Sequence, residues 1–221
     1  MWGFSLRNLC ALCVSVVRLA GNHRRGAESA EVAQRRNLNS VSMNHVVIAL
    51  AGTRIDELDS TQIRFPPENE ALVRSRLREL FEEFQTNALV CSAACGADLL
   101  ALETAEELGI PSRIVLPFDA ETFRKTSVAD RPGTWGERFD RLYAASKKRG
   151  AVVVLNEQAE RYQAYLLANE RILSEAESLG QGRVLVVIVW DGLARGSDDM
   201  TAQFADAGRA RGFKVIEVLT K

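Results

Sequence analysis

Charge of one sign, long apolar runs and cysteine are missing or scarce in this chain, and each shortage removes a class of explanation. Twenty-eight Lys and Arg stand against 29 Asp and Glu, a net charge of −1 over 221 residues. No overall field draws such a chain towards nucleic acid or an anionic membrane, and neither a specific nucleic acid nor a membrane is expected as a partner. No apolar stretch of about 18 residues or more is free of charges, so there is no clear transmembrane span. The four cysteines come as two close pairs, Cys10/Cys13 and Cys91/Cys95. Four thiolates could hold a zinc, and the first pair has C-x-x-C spacing. However, Cys10 and Cys13 lie in an apolar stretch outside the expected core, and Cys91 ends a strand as a small hydrophobe. No metal, cofactor or structural disulfide is expected, and the chain reads as a reduced, cytoplasmic protein.

What is present is enough apolar material for a core, 47% of residues, in a length that suits one α/β domain with an extension. The first 42 residues differ from the rest. Trp2 to Ala20 is semi-apolar but interrupted by Arg7 and Arg18, and Arg24, Arg25, Arg35 and Arg36 follow with only Glu28 and Glu31 as acids. A secretory signal, an Arg-rich targeting peptide and a mistaken extension ahead of Met43 all fit that composition. The expectation is a disordered or weakly helical segment over 1–42, outside a domain of 43–221.

From His45 onward strands and helices alternate. Val46 to Ala51, Ala88 to Cys91, Ser112 to Leu116, Ala151 to Leu155, Val184 to Trp190 and Phe213 to Leu219 read as strands. Helices are expected over Glu68 to Gln85, Ala97 to Leu108, Asp119 to Ser127, Trp135 to Lys148, Gln158 to Leu179 and Asp198 to Arg211. Continuous apolar strands separated by helices predict an α/β, Rossmann-like three-layer sandwich, with a mostly parallel sheet of about six strands. Such sheets bind ligands in the crevice beyond the carboxyl ends of their strands.

The chain is organised around Val90 to Glu103, a strand that runs through small residues and Gly96 into a helix. The unpaired N–H groups at that helix start make an anion site, used most often for phosphate. A plain strand-to-helix turn with Asp98 as helix cap fits equally. Gly52-Thr53-Arg54, Leu116-Pro117-Phe118 and the stretch from Trp190-Asp191-Gly192 to Gly196-Ser197 and Thr201 fall at the same carboxyl edge. Glycine or small residues beside a polar group are what close approach to a phosphate or ribose requires. Arg54 suits a phosphate or a solvated loop, and Asp191 suits ribose hydroxyls or turn-making. Asn169 falls on the apolar face of its helix, so it either bonds nearby backbone or points into the crevice.

Ala51-Gly52-Thr53-Arg54, Cys91 to Asp98, Leu116-Pro117-Phe118, Ser127-Val128, Trp135 with Arg138-Phe139, Asn169-Glu170-Arg171-Ile172 and Trp190-Asp191-Gly192 occur in one order. Together, over roughly residues 45 to 219, they resemble the SLOG superfamily, the Rossmann-like fold shared by the DNA-processing protein Smf and the Lonely Guy phosphoribohydrolases. The likeness is closest to stand-alone or signalling-linked SLOG domains, which bind nucleotides or nucleotide-derived ligands. The resemblance implies that Gly52, Thr53 and Arg54, with Ser92, Gly96, Ala97 and Asp98, hold phosphate and ribose. Pro117, Arg138, Asn169, Asp191, Gly192, Gly196, Ser197 and Thr201 complete the expected binding set, and a homodimer is one expected assembly.

One departure shapes the functional expectation. Lonely Guy enzymes carry a Gly-Gly-rich loop ending Gly-Thr-x-x-Glu. The matching stretch here is Met200-Thr201-Ala202-Gln203-Phe204, with Phe204 at the catalytic glutamate and with Asp198 and Asp199 in the phosphate cradle. The expected function is therefore binding or sensing of a nucleotide-derived small molecule. The alternative is an N-glycosidic hydrolase or transferase of the Lonely Guy or deoxyribosyltransferase kind, using Asp98 or Glu103. Against it, Asp98 at a helix start is expected to stay charged. Glu103, about 140° round the helix from Asp98, is expected on a solvated face.

Overall fold

The computed structural model describes residues 46–155 and 160–221. The extension expected over 1–42, the Cys10/Cys13 pair and the expected start of the fifth helix at Gln158 lie outside the described residues.

In chain order the elements are β1 (Val46–Gly52), a single 3-10 turn (Pro67–Asn69), α1 (Glu70–Glu83), β2 (Thr86–Cys91), α2 (Ala97–Glu107), β3 (Ser112–Leu116), α3 (Ala120–Ser127), α4 (Trp135–Lys148), β4 (Val152–Val154), α5 (Arg161–Gly180), β5 (Val184–Trp190), α6 (Met200–Ala210) and β6 (Lys214–Leu219). The strands form one six-stranded sheet in the order β4-β3-β2-β1-β5-β6, and every neighbouring pair is parallel. The chain winds outward from β1 to β4, then crosses back to place β5 on the other side of β1. That reversal is the topological switch point, where doubly wound sheets open a crevice.

The continuous apolar strands have a direct reading. Ile48 and Leu50 of β1, with Leu185, Val187 and Val189 of β5, join the core that includes Val73, Leu77 and Phe81 of α1 and Leu99 and Leu102 of α2. Val47 and Ala49, with Val186, Ile188 and Trp190, join the opposite core with Ile172 and Leu173 of α5 and Phe204 of α6. Successive strand residues point to opposite faces, so a strand covered on both sides needs an apolar residue at every position. The architecture is an α/β Rossmann-like sandwich.

Helix starts differ from expectation in instructive ways. The first helix opens as a 3-10 turn at Pro67, where a proline costs no hydrogen bond. Asp119 and Asp199 stand outside their helices as caps. Asp119 accepts from Thr122 N, and Asp199 accepts from Thr201 N and Ala202 N.

Candidate functional site

Backbone hydrogen bonds between loops fix the carboxyl edge of β1 and β2. Ala97 N donates to Thr53 O at 3.3 Å, Ile55 N to Cys95 O at 3.4 Å, and Cys95 N to Ser127 O at 3.0 Å. Gly96 makes this contact sterically feasible. Its φ is +96°, and a Cβ there would lie 2.5 Å from Ile55 N. The glycine thus serves close approach between two loops of the protein. Gly52 plays a matching part, because a Cβ on it would lie 2.5 Å from the Cβ of Ala97.

A cavity of about 390 Å³ opens beside these loops, and Gly52, Arg54, Ser92, Asp98, Asn169 and Thr201 line it. Six of the residues singled out in the sequence are thereby brought together. Leu50, Phe123 and Ile172 give the cavity apolar walls. Asn169 resolves its two readings in both directions at once: its Nδ2 makes a long 3.5 Å contact to Met200 O, and its side chain lines the cavity. A second, more polar chamber of about 660 Å³ shares Gly52, Arg54, Met200 and Thr201 with the first, and takes in Thr53, Arg64 and Arg131.

Three buried polar atoms at this edge have no hydrogen-bond partner among the described residues: Thr53 Oγ1, Ser92 Oγ and Asp98 Oδ1. Asp98 corrects its sequence reading. Gly96, not Asp98, occupies the N-cap position of α2. Asp98 sits inside the first turn with its carboxyl turned back, so that Oδ2 accepts from Ala94 N at 3.1 Å. Burial pushes its pKa up to about 7, and the Ala94 N–H offsets only part of that rise. Loss of water here outweighs the helix end, which on its own favours the charged form.

Glu103 also departs from its expected place. It is only 7% exposed and lies among arginines, outside the cavity. Arg138 reaches it with Nε at 2.8 Å and Nη2 at 2.6 Å, and Arg74 with Nη2 at 2.5 Å. Burial alone would raise its pKa, but hydrogen bonds and charge from Arg138 and Arg74 win and hold it below the ordinary value. Arg138 is committed here and to Trp135, with its guanidinium 4.0 Å from the ring centroid. Glu103 and Arg138 tie α1, α2 and α4 together and face no ligand space.

The remaining expected residues lie off the cavity. Pro117 is buried beyond the end of β3, and Gly192, Gly196 and Ser197 are exposed. Asp191 is engaged by Arg195 in two bonds of 2.7 and 3.1 Å and by Lys221 at 3.4 Å. Burial would raise its pKa, yet Arg195 and then Lys221 hold it below its usual value. Asp199 fills the amino end of α6 through bonds of 3.1 and 3.2 Å to Thr201 N and Ala202 N, and binds Arg64 at 3.0 Å. At the loop from Gly196 to Thr201, expected to hold the other end of the ligand, the amino end of α6 is thus occupied by the chain's own carboxylate. Phe204, at the position of the Lonely Guy glutamate, is fully buried in the core.

Ser127 and Tyr165, which carry no site role in the sequence, also line the cavity. Ser127 and Tyr165 share a hydroxyl–hydroxyl hydrogen bond beside the cavity, and the Tyr165 ring meets Phe118 edge-on at 5.6 Å. Tyr165 lies one helical turn before Asn169 on the same face, which is the signal that could have placed it. Arg54 crosses to Asp130 at 2.6 Å. Burial would lower the Arg54 pKa, but the Asp130 hydrogen bond and charge leave it raised.

No family model matches the chain, and no curated protein matches it. Among solved structures, SuiB from Streptococcus suis bound to S-adenosylmethionine matches at 12% identity, covering 92% of this chain and 55% of that one. Its TM-score is 0.24, so neither the fold nor the site described above rests on that likeness.

Proposed function

We propose that the cavity binds a nucleotide or nucleotide-derived ligand containing ribose and phosphate, in a domain that resembles the SLOG superfamily and acts as a binder or sensor. The observation that carries this reading is the pair of buried, unpartnered groups on residues that line the cavity, Ser92 Oγ and Asp98 Oδ1. Buried polar atoms normally have partners, and leaving one bare costs about 1–3 kcal/mol. A ligand rich in hydroxyl and ring-nitrogen groups supplies those partners. Phe123 and Ile172 offer apolar walls to a base, and the guanidiniums of Arg54 and Arg161 border the same space.

The test is calorimetric titration and thermal shift with nucleoside mono- and diphosphates and ADP-ribose up to millimolar concentration. A ligand at a hundred times its Kd should stabilise the fold by about 2.7 kcal/mol. Absence of both heat and shift across this panel removes the reading.

The acid form of Asp98 favours one second reading, cleavage of an N-glycosidic bond. A carboxylic acid near neutrality can protonate the departing base as the bond to the sugar breaks, while water adds to the anomeric carbon and releases its proton to solvent. Such reactions use a second carboxylate. The other one bordering the cavity, Asp130, is bound to Arg54, and the binder reading therefore comes first. Release of free base from nucleoside monophosphates that vanishes in Asp98→Asn protein reverses that order.

A further inference from the structure

The two oxygens of Asp98 have different fates. Asp98 lines the cavity; its Oδ2 accepts the Ala94 N–H, whereas its Oδ1 is buried and meets no donor. Ser92, which lines the same cavity, has an equally bare Oγ. An ionised carboxylate is acceptor-only and would place two acceptor lone pairs in a space that offers them no hydrogen. A protonated one turns Oδ1 into a donor.

The surroundings favour the protonated form. The groups acting on Asp98 are its burial and the single backbone N–H of Ala94. Arg54, the cation of the β1 loop, is engaged with Asp130. Arg161 of α5 donates to the Thr126 carbonyl. The thiols facing Asp98 from β2 and its turn, Cys91 and Cys95, are kept protonated by burial, Cys95 with a pKa pushed up to about 11. Tyr165, from α5, has its hydroxyl on Ser127.

We infer that Asp98 meets the ligand as a carboxylic acid: Asp98 Oδ1–H and the Ser92 hydroxyl form a paired donor site for an acceptor atom of the ligand, a carbonyl, unprotonated ring nitrogen or phosphate oxygen. The inference rests on the ligand-binding reading above and adds what that reading leaves open, the proton state and polarity of the group recognised. The occupied site retains a proton that the empty site gives up as pH rises. Binding is thereby coupled to pH through a buried group.

The test is calorimetric titration of ADP-ribose into wild-type and Asp98→Asn protein at about pH 6 and about pH 8.5. ADP-ribose is the chosen probe because a phosphate monoester has its own titration near about 6, which a pyrophosphate diester lacks. In Asp98→Asn the amide oxygen takes over the Ala94 N–H and the amide nitrogen donates towards the cavity, a permanent copy of the acid form. Wild-type affinity is expected to fall roughly 30-fold between the two conditions, given a free-protein pKa of about 7. Asp98→Asn affinity is expected to stay level and close to the wild-type value at the acid end. A titration arising at Arg161, Asp130, Tyr165 or a thiol would persist in the variant. Wild-type affinity that is flat or rises with pH, or a variant that loses binding at both pH values, overturns the inference and makes Asp98 an acceptor. No binding by either protein at either pH removes the ligand reading itself, and this inference with it. If the variant does not fold, wild-type titration near pH 8 in two buffers of different ionisation enthalpy decides: uptake approaching one proton per ligand supports the inference, and none overturns it.

Discussion

Asp98 and Glu103 stand on the same helix, and the fold drives their carboxyls in opposite directions. Asp98 is raised to about 7 by burial with one N–H for company, while Glu103 is held below its usual value by Arg138 and Arg74. The residues differ in which side of the helix faces the arginines of α1 and α4. Their consequences for stability have opposite signs.

A carboxyl whose folded pKa lies above its unfolded value contributes stability that is fully present below the unfolded value and lost as pH rises through the folded one. For Asp98 that window runs from about 4 to about 7, and the loss amounts to a few kcal/mol at full linkage. Asp98→Asn should therefore melt higher than wild type at about pH 8 and show little gain at about pH 4. Equal melting shifts at both pH values would show that Asp98 is not a neutral buried acid.

Glu103 runs the other way: its contribution is present above the ordinary carboxylate range and lost as pH falls through its lowered value. Glu103→Gln leaves Arg138 and Arg74 facing an uncharged amide, and removal of one partner from a buried ion pair typically costs about 3–5 kcal/mol. Since Glu103 retains some exposure, the lower part of that range is expected in denaturant unfolding, with no change in ligand affinity. A loss of affinity at unchanged stability would return Glu103 to the site.

Gly96→Val should act through the fold before it acts on any ligand. The backbone angle of +96° is adverse to a β-branched residue, and the added atoms would meet Ile55 N and Thr53 O. A melting temperature several degrees lower is expected, equivalent to about 1–3 kcal/mol. An unchanged melting temperature with abolished binding would instead mean that the new side chain projects into ligand space.

Asn169→Leu keeps the size of the side chain and removes its amide from the cavity wall. Because its protein contact is a marginal 3.5 Å bond, stability should change by less than about 1 kcal/mol. Affinity for any nucleotide that binds wild type should drop about tenfold or more. Retained affinity places the ligand away from α5.

The sheet was legible in the sequence because a strand covered on both faces must be apolar throughout, and Val184 to Trp190 meets that condition at every position. Gly52, Arg54, Ser92, Asp98 and Thr201 could be grouped in advance for a related reason: a parallel sheet presents all its carboxyl ends at one edge, whereas Asn169 stood out only by its place on the apolar face of a helix. Partner choice was not legible. Nothing in the local spacing says that Arg138 faces Glu103 rather than a phosphate, or that Arg195 returns to Asp191, since those pairings depend on how helices and loops sit in space. Proton state was hidden for the same reason. A residue near a helix start promises a charge, and only the depth of the turn around Asp98 reverses that promise.

The Asp199 cap on α6 has a consequence of its own. Its Oδ1 takes the Thr201 and Ala202 N–H groups, and its Oδ2 takes Arg64 and the Arg195 backbone N–H. This is the donor set that an oxyanion would seek at a helix start. The chain thus carries a built-in competitor for its own anion seat, tethered and always at high local concentration. Asp199→Gly should vacate the seat, and inorganic phosphate or sulfate should then protect the variant from heat while leaving the parent protein indifferent.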